Sequence, residues 1–337
     1  MNLQQRIAAF ARLGDYIRTL PAENFRELAE KAALENPWFT PDNVQRALRG
    51  LLQYLDFDKL SQWTDNYRFD KLTPQTIAII MAGNIPLVGF HDLLCVLISG
   101  HRALVKYSSK DSALLKHVVN KLIEIETAFS SRIILTNETL NRFDAIIATG
   151  SDNSARYFHQ YFAKYPHIIR KNRVSVAVLD GNETNHELEL LGEDVFSFFG
   201  LGCRNVAKIF VPAHFDTNRL AQPWKKFESV IYHHKYANNY DYQKSILLVN
   251  RQPFTDFGFV LLKESDALAS PVSVIYIGRY NSLDEVNRNM QQNRHKIQCI
   301  MGKTIANGIS FGQAQYPELW DYADGIDTLK FLESISR

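Results

Sequence analysis

Three thiols are available for chemistry in this chain of 337 residues, and their surroundings differ. Cys95 lies in Leu93-Leu94-Cys95-Val96-Leu97 and Cys299 in Ile297-Gln298-Cys299-Ile300-Met301, and both read as small core hydrophobes. Cys203 instead follows Phe198-Phe199-Gly200-Leu201-Gly202. The two glycines remove side-chain bulk and let a substrate approach the backbone, and an exposed loop would leave a thiolate within reach as a nucleophile. An ordinary turn carrying a thiol fits the same residues. Cysteines so few, odd in number and without a Cys-x-x-Cys pair make neither a disulfide framework nor a zinc site, so no metal is expected.

Two further clusters carry the residue types of a phosphate and sugar site. Gly150-Ser151 stands between an apolar run and a helical stretch. A helix N-terminus there can hold a phosphate, although a glycine at such a junction also serves as a plain turn. Lys106-Tyr107-Ser108-Ser109-Lys110 follows a second apolar run. In doubly wound folds that strand tip reaches the adenosine ribose. Here it offers two serine hydroxyls and two ammoniums, with no carboxylate before Asp111. A solvated loop is equally compatible with these residues. The Gly-x-Gly-x-x-Gly fingerprint is absent from the first strand-to-helix turn.

The elements that must position these residues follow from periodicity. Residues 1–70 read as helical: Leu3, Ile7, Phe10, Leu13 and Ile17 form one stripe, and Thr40-Pro41-Asp42 is a helix start. From Thr76 the pattern becomes short apolar strands alternating with helices. Strands are expected at 77–81, 103–106, 132–135, 145–149 and 175–179, with helices at 89–99 and 111–127. A second series follows, with strands at 206–211, 245–249, 259–263, 273–278, 297–301 and 308–311 and a helix at 283–292. The fold class is therefore α/β, with two parallel-sheet domains behind an N-terminal helical segment. The expected domains are 1–70 packed on the cofactor domain, 71–180 for the nucleotide and 181–337 for the cysteine.

Composition excludes other classes. The chain is 46% hydrophobic and 22% charged, with 38 basic against 36 acidic residues. This is globular usage, and a net charge of +2 gives no electrostatic footprint for nucleic acid. The basic run Arg170-Lys171-Asn172-Arg173 reads as a solvated turn before a strand. No apolar stretch approaches the roughly 20 residues of a membrane span. The N-terminus lacks the apolar core of a signal peptide, and a cytoplasmic location is expected.

Asn84-Ile85-Pro86, Gly100, Lys106-x-Ser108, Thr149-Gly150-Ser151 and Gly202-Cys203 occur in the order found in the aldehyde dehydrogenase superfamily. Over about residues 76–310 the chain resembles that superfamily, and within it the LuxC-type acyl-CoA reductases. Phe198-Phe199-Gly200-Leu201-Gly202-Cys203-Arg204 carries the narrower match. So does Phe311-Gly312-Gln313-Ala314-Gln315-Tyr316-Pro317, with Tyr322-Ala323-Asp324-Gly325-Ile326-Asp327 after it.

The resemblance implies NADPH-dependent reduction of an acyl-CoA to an aldehyde through an acyl-cysteine at Cys203. It makes Asn84 an oxyanion donor. His167, just after Pro166 and two residues before the stretch Ile169-Arg170-Lys171-Asn172, reads either as a general acid or base or as a partly buried structural histidine. The resemblance assigns Lys106, Ser108, Ser109, Gly150, Ser151 and Glu264 to the cofactor. The Glu-Leu-Gly-Gly segment of oxidising relatives aligns with Ile169-Arg170-Lys171-Asn172, which lacks the water-activating carboxylate and so favours reduction. Glu264 stands farther from Ser270-Pro271 than the family's Glu-x-x-Gly-Pro pattern requires. A homo-oligomer and an acyl-activating ligase as partner are implied by analogy. The rival functions are aldehyde oxidation and nucleotide binding without catalysis.

Overall fold

The structure, a computed structural model, describes residues 1–69 and 72–335. Four helices come first: α1 (Leu3–Arg18), α2 (Ala22–Glu35), α3 (Pro41–Tyr54) and α4 (Phe57–Thr64). Thr40 caps α3 by accepting from the Asn43 N–H, with Pro41 in the first turn as expected. The expected end of the helical segment, between residues 70 and 71, lies outside the described residues.

A parallel sheet follows, built from β1 (Thr76–Ile80), α5 (Phe90–Ser99), β2 (Arg102–Lys106), α6 (Ser112–Ile125), β3 (Ile133–Thr136), β4 (Ala145–Thr149), α7 (Asp152–Phe162) and β5 (His167–Arg170). Its strand order is β3-β2-β1-β4-β5, and every pairing is parallel. Alternate side chains face opposite layers. Ile77, Ile79, Val105 and Ile147 share a core with α1, α5 and α6, so the N-terminal helices cover one face. Ala78, Leu104, Ile146 and Ala148 pack with Phe158 and Phe162 of α7 on the other.

The second sheet contains β6 (Val174–Val178), β7 (Val206–Pro212), β8 (Thr255–Asp256), β9 (Leu261–Glu264), β10 (Val274–Tyr280) and β11 (Ile297–Met301). Its order is β11-β6-β7-β10-β9-β8, parallel except for the short edge strand β8. One face packs on α8 (Asn185–Phe196) and α9 (Ala221–Trp224), the other on α11 (Leu283–Gln292). Residues 245–249 are not a strand. They end helix α10 (His234–Val249), with Leu247 buried and Leu248 and Val249 exposed. Of the strand expected at 308–311, a single bridge from Ile309 to Met301 is formed.

The chain forms two compact units, residues 1–172 with the tail from Pro317, and residues 173–316. The division comes earlier than the expected 180, and the tail with α12 (Thr328–Ile335) belongs to the first unit. Hydrogen bonds explain the tail's allegiance. Trp63 Nε1 donates to Tyr322 Oη at 2.8 Å, Tyr322 lies 3.0 Å from Tyr67 Oη, and Tyr67 donates to Asp327 at 2.9 Å. An indole only donates and a carboxylate only accepts, so the direction is set as Trp63 to Tyr322 to Tyr67 to Asp327. Burial pushes the Tyr67 hydroxyl up to about 12, which keeps its proton in place. The C-terminal Tyr322–Asp327 motif is thus a clasp on α4.

Arg170 corrects a further expectation. It is not in a solvated turn but ends β5, 4% exposed, where its guanidinium pairs with Asp92 of α5 and donates to Thr328 Oγ1 of α12 at 3.0 Å.

Candidate active site

In a parallel sheet the chain leaves every strand at the same edge. β1, β2 and β4 therefore deliver Gly83-Asn84, residues 106–109 and Gly150-Ser151 to one edge of the first sheet. Strand order reverses between β1 and β4, and such a switch point opens the crevice that holds nucleotides in doubly wound folds.

Asn84 is exposed on a loop whose backbone is tied at three points. Met81 N donates to Lys106 O at 3.1 Å, Asn36 Nδ2 donates to Gly83 O at 3.1 Å, and Leu87 N donates to Asp111 Oδ2 at 2.7 Å. Burial pushes the Asp111 carboxyl well up, against the pull of the Leu87 N–H. Gly83 is obligatory: a Cβ there would come within 2.7 Å of Ser108 Cβ.

Ser108 Oγ accepts from Lys110 N at 3.2 Å, which leaves its own hydrogen to donate, and Ser109 is exposed. Ser151 is exposed and caps α7, accepting from Ser154 N at 3.2 Å. Bare backbone at Gly83 and Gly150, hydroxyls at Ser108, Ser109 and Ser151, and the ammonium of Lys106 fit the phosphates and ribose of a dinucleotide.

In the second unit Cys203 is the one exposed thiol, whereas Cys95 and Cys299 are buried. It precedes β7, at the edge where the strands begin. Phe198, Phe199 and Gly200 lead into it with φ of 51°, 57° and 76°. Left-handed backbone at two phenylalanines costs on the order of 1–3 kcal/mol each and persists where packing over-determines it. Phe198 is buried, and the Phe199 ring lies 4.5 Å from that of His233.

Asn205, 2% exposed, closes the turn. Its Oδ1 accepts from Gly202 N at 2.8 Å, its N–H donates to Gly202 O at 3.0 Å, and its Nδ2 donates to Ser197 O at 2.7 Å and Asp194 O at 3.1 Å. Arg204 Nε donates to Ala314 O. Asp194 accepts from Gly312 N at 2.7 Å and Ala314 N at 2.9 Å, so the Phe311–Ala314 motif backs this turn. Burial pushes the Asp194 carboxyl up to about 7 although both N–H donors pull it down.

The profile of the family described as Acyl-CoA reductase (LuxC) matches residues 7–222, well over half of the chain. The chain belongs to the LuxC acyl-CoA reductase family. It is similar to long-chain acyl-protein thioester reductase 2 of Photobacterium leiognathi, at 21% identity over 194 residues. That match spans 51% of this chain and only 40% of the relative's length.

The fold of this LuxC-family chain is that of aldehyde dehydrogenases. The Mycobacterium tuberculosis aldehyde dehydrogenase complexed with NAD+ aligns over 100% of this chain and 84% of its own, at a TM-score of 0.68 and 12% identity. Aldehyde dehydrogenase 21 from Physcomitrella patens, in complex with succinate, aligns over 100% and 85%, at 0.67 and 11%. Among the described residues no helix is long and apolar enough to cross a membrane, and no group of three potential metal ligands occurs.

The other two residues that the sequence singled out are each placed within their own sheet. His167 opens β5 opposite Ile146, with its Nδ1 2.8 Å from Tyr165 O. That is three residues, about 10 Å, back from the edge carrying Asn84 and Ser151. Glu264 ends β9, paired with Arg279 at 2.6 Å. It is level with Ile277, itself opposite Ile209, and so six positions along the chain from Cys203. Asn205, Asp194 and Asp111 were missed by the sequence reading. Each is a polar residue beside a functional glycine or cysteine turn, and only its backbone partners reveal the role.

Proposed function

We propose that the protein reduces an acyl thioester to an aldehyde, with Cys203 as nucleophile and NADPH as hydride donor. The observation that carries this is the single exposed thiol on a turn clamped by Asn205, in a chain of the LuxC family. Cys203 Sγ attacks the thioester carbonyl. The bond to Cys203 forms, the bond to the donor sulfur breaks, and that sulfur leaves as thiolate. The Asn84 amide and the Cys203 N–H hold the oxyanion. Lys106, Ser108, Ser109, Gly150 and Ser151 would hold the dinucleotide, which when bound would supply the hydride that reduces the acyl carbon. Collapse of the resulting hemithioacetal releases aldehyde and returns the Cys203 thiolate. No carboxylate stands at residues 169–172 to activate water, and Arg170 there is held by Asp92, which supports reduction over oxidation.

Acyl-CoA and acyl-protein thioesters present the same carbonyl, and the named activity of the Photobacterium relative supports testing both. The same reading makes the protein a homo-oligomer supplied by an acyl-activating ligase. Purified protein mixed with acyl-CoA and NADPH is expected to consume NADPH in step with trapped aldehyde. Oxidation of aldehyde with NADP+ but no reduction, or cofactor binding with neither reaction, overturns the proposal.

Asn84→Ala is expected to slow acylation by 10²–10³-fold, about 3–4 kcal/mol, while cofactor affinity changes little. The loop's three backbone ties do not involve the Asn84 side chain. A loss below tenfold in folded protein would make Asn84 a turn residue only.

The cofactor loop predicts a preference for NADPH over NADH of about ten- to a hundredfold, since each charge-assisted contact contributes about 1.5–3 kcal/mol, less where solvent reaches it. Ser109→Glu would face the 2′-phosphate with a carboxylate and should erase or reverse the preference. Equal kcat/KM for both cofactors in the unmodified protein would show that the loop does not read the 2′ position.

A further inference from the structure

Behind Cys203 lies a hydroxyl that the mechanism above does not use. Ser175, fully buried near the start of β6, donates from Oγ to the backbone carbonyl of Cys203 at 3.0 Å. The same oxygen accepts from the Cys299 N–H at 3.2 Å and lies 2.9 Å from Cys299 Sγ. Counting hydrogens orients the group. A serine hydroxyl has one hydrogen and two lone pairs, and a carbonyl can only accept. The Ser175 hydrogen therefore goes to Cys203, and the Cys299 S–H and N–H fill the lone pairs. One rotamer satisfies all three contacts.

We propose that Ser175 is a positioning residue for acyl transfer, setting the Cys203 backbone through its carbonyl; this rests on the reading of Cys203 as nucleophile. Gly202 O is held by Asn205 N, and no peptide bond among the described residues is cis. Across a trans peptide the Cys203 N–H points opposite to Gly202 O, away from the turn's interior. Ser175 fixes the next peptide plane. Together Asn205 and Ser175 hold both planes flanking the Cys203 Cα, which aims the sulfur and the oxyanion-donating N–H. Neither residue touches substrate.

The test compares Ser175→Ala with Ser175→Thr and Val176→Ala. Two readouts are used: cofactor-free acylation of Cys203 by acyl-CoA in a single turnover, and hydrogen exchange of the amides at residues 202–205. Val176 is equally buried but faces the other side of β6.

Ser175→Ala should slow acylation about ten- to a hundredfold, since small misplacements of a reacting group cost that much, with the acyl-CoA concentration that half-saturates the acylation rate unchanged and exchange at 202–205 faster. Ser175→Thr, which keeps the hydroxyl, should recover both readouts. Val176→Ala should lower thermal stability yet leave acylation within about threefold, since a packing loss on the far face does not reach the turn. Unchanged acylation in Ser175→Ala overturns the proposal, as does equal loss in Val176→Ala. If the unmodified protein is not acylated at Cys203, the functional reading falls and the catalytic role of Ser175 with it. The exchange data, which need no substrate, tell that failure apart.

Discussion

Cys203→Ala is expected to lower aldehyde formation from acyl-CoA by at least about 10³-fold if Cys203 is the proposed nucleophile, because removing a covalent nucleophile leaves only binding and oxyanion stabilisation. The other two thiols cannot substitute. Cys95 is fully buried in α5, and burial, reinforced by the nearby Asp92 charge, pushes its thiol well up and keeps it protonated. The Cys299 sulfur is turned into the core against Ser175. Incubation with acyl-CoA without cofactor should therefore add one acyl group, found by peptide mass on the Cys203 peptide alone. Label on the Cys299 peptide, or near-normal turnover by Cys203→Ala, would sink the mechanism.

The parts of this site that were legible in sequence are those written locally. Strands such as Thr76–Ile80 and Ala145–Thr149 are buried on both faces of a covered parallel sheet, so they read as unbroken apolar runs. Cys203 stood out because two glycines closely precede it, whereas Cys95 and Cys299 are embedded in apolar residues. Local pattern failed where it was ambiguous or where the partner was distant. Ile246-Leu247-Leu248-Val249 has the composition of a strand, yet it closes a sixteen-residue helix, and four apolar residues carry no period that separates the two.

His167 lies two residues before a stretch aligned with catalytic segments, and its level in the sheet, opposite Ile146 and three residues back from Thr149, is visible only once β5 pairs with β4. Arg170 sits among basic residues that look solvated. Its carboxylate partner is 78 residues earlier, and its hydroxyl partner 158 residues later. Tyr322 and Asp327 likewise bond residues about 255–260 positions away.

Arg170→Ala is expected to destabilise the first unit by about 3–5 kcal/mol, the cost of leaving one member of a buried ion pair uncompensated. Asp92 is 6% exposed, and its Oδ1 has no hydrogen-bond partner among the described residues, so it depends on the guanidinium for what stabilisation it has. Thr328, fully buried at the start of α12, loses the Arg170 bond at the same time. That adds about 1 kcal/mol where the hydroxyl is left unsatisfied. The double variant Arg170→Met with Asp92→Leu should recover most of the loss, because desolvating two charges consumes much of what their attraction supplies and apolar side chains of similar volume need no such partner. Three of the four tryptophans, Trp38, Trp63 and Trp320, belong to this unit and Trp224 to the other, so tryptophan fluorescence in a urea titration, followed in a Trp224→Phe background, reports its unfolding. A midpoint for Arg170→Ala equivalent to less than about 1 kcal/mol of loss would show that Asp92 is solvated in solution, since only exposed pairs are that weak. A double variant no more stable than Arg170→Ala would show that packing around α5 and α12, and not the charge, sets the strength of this junction.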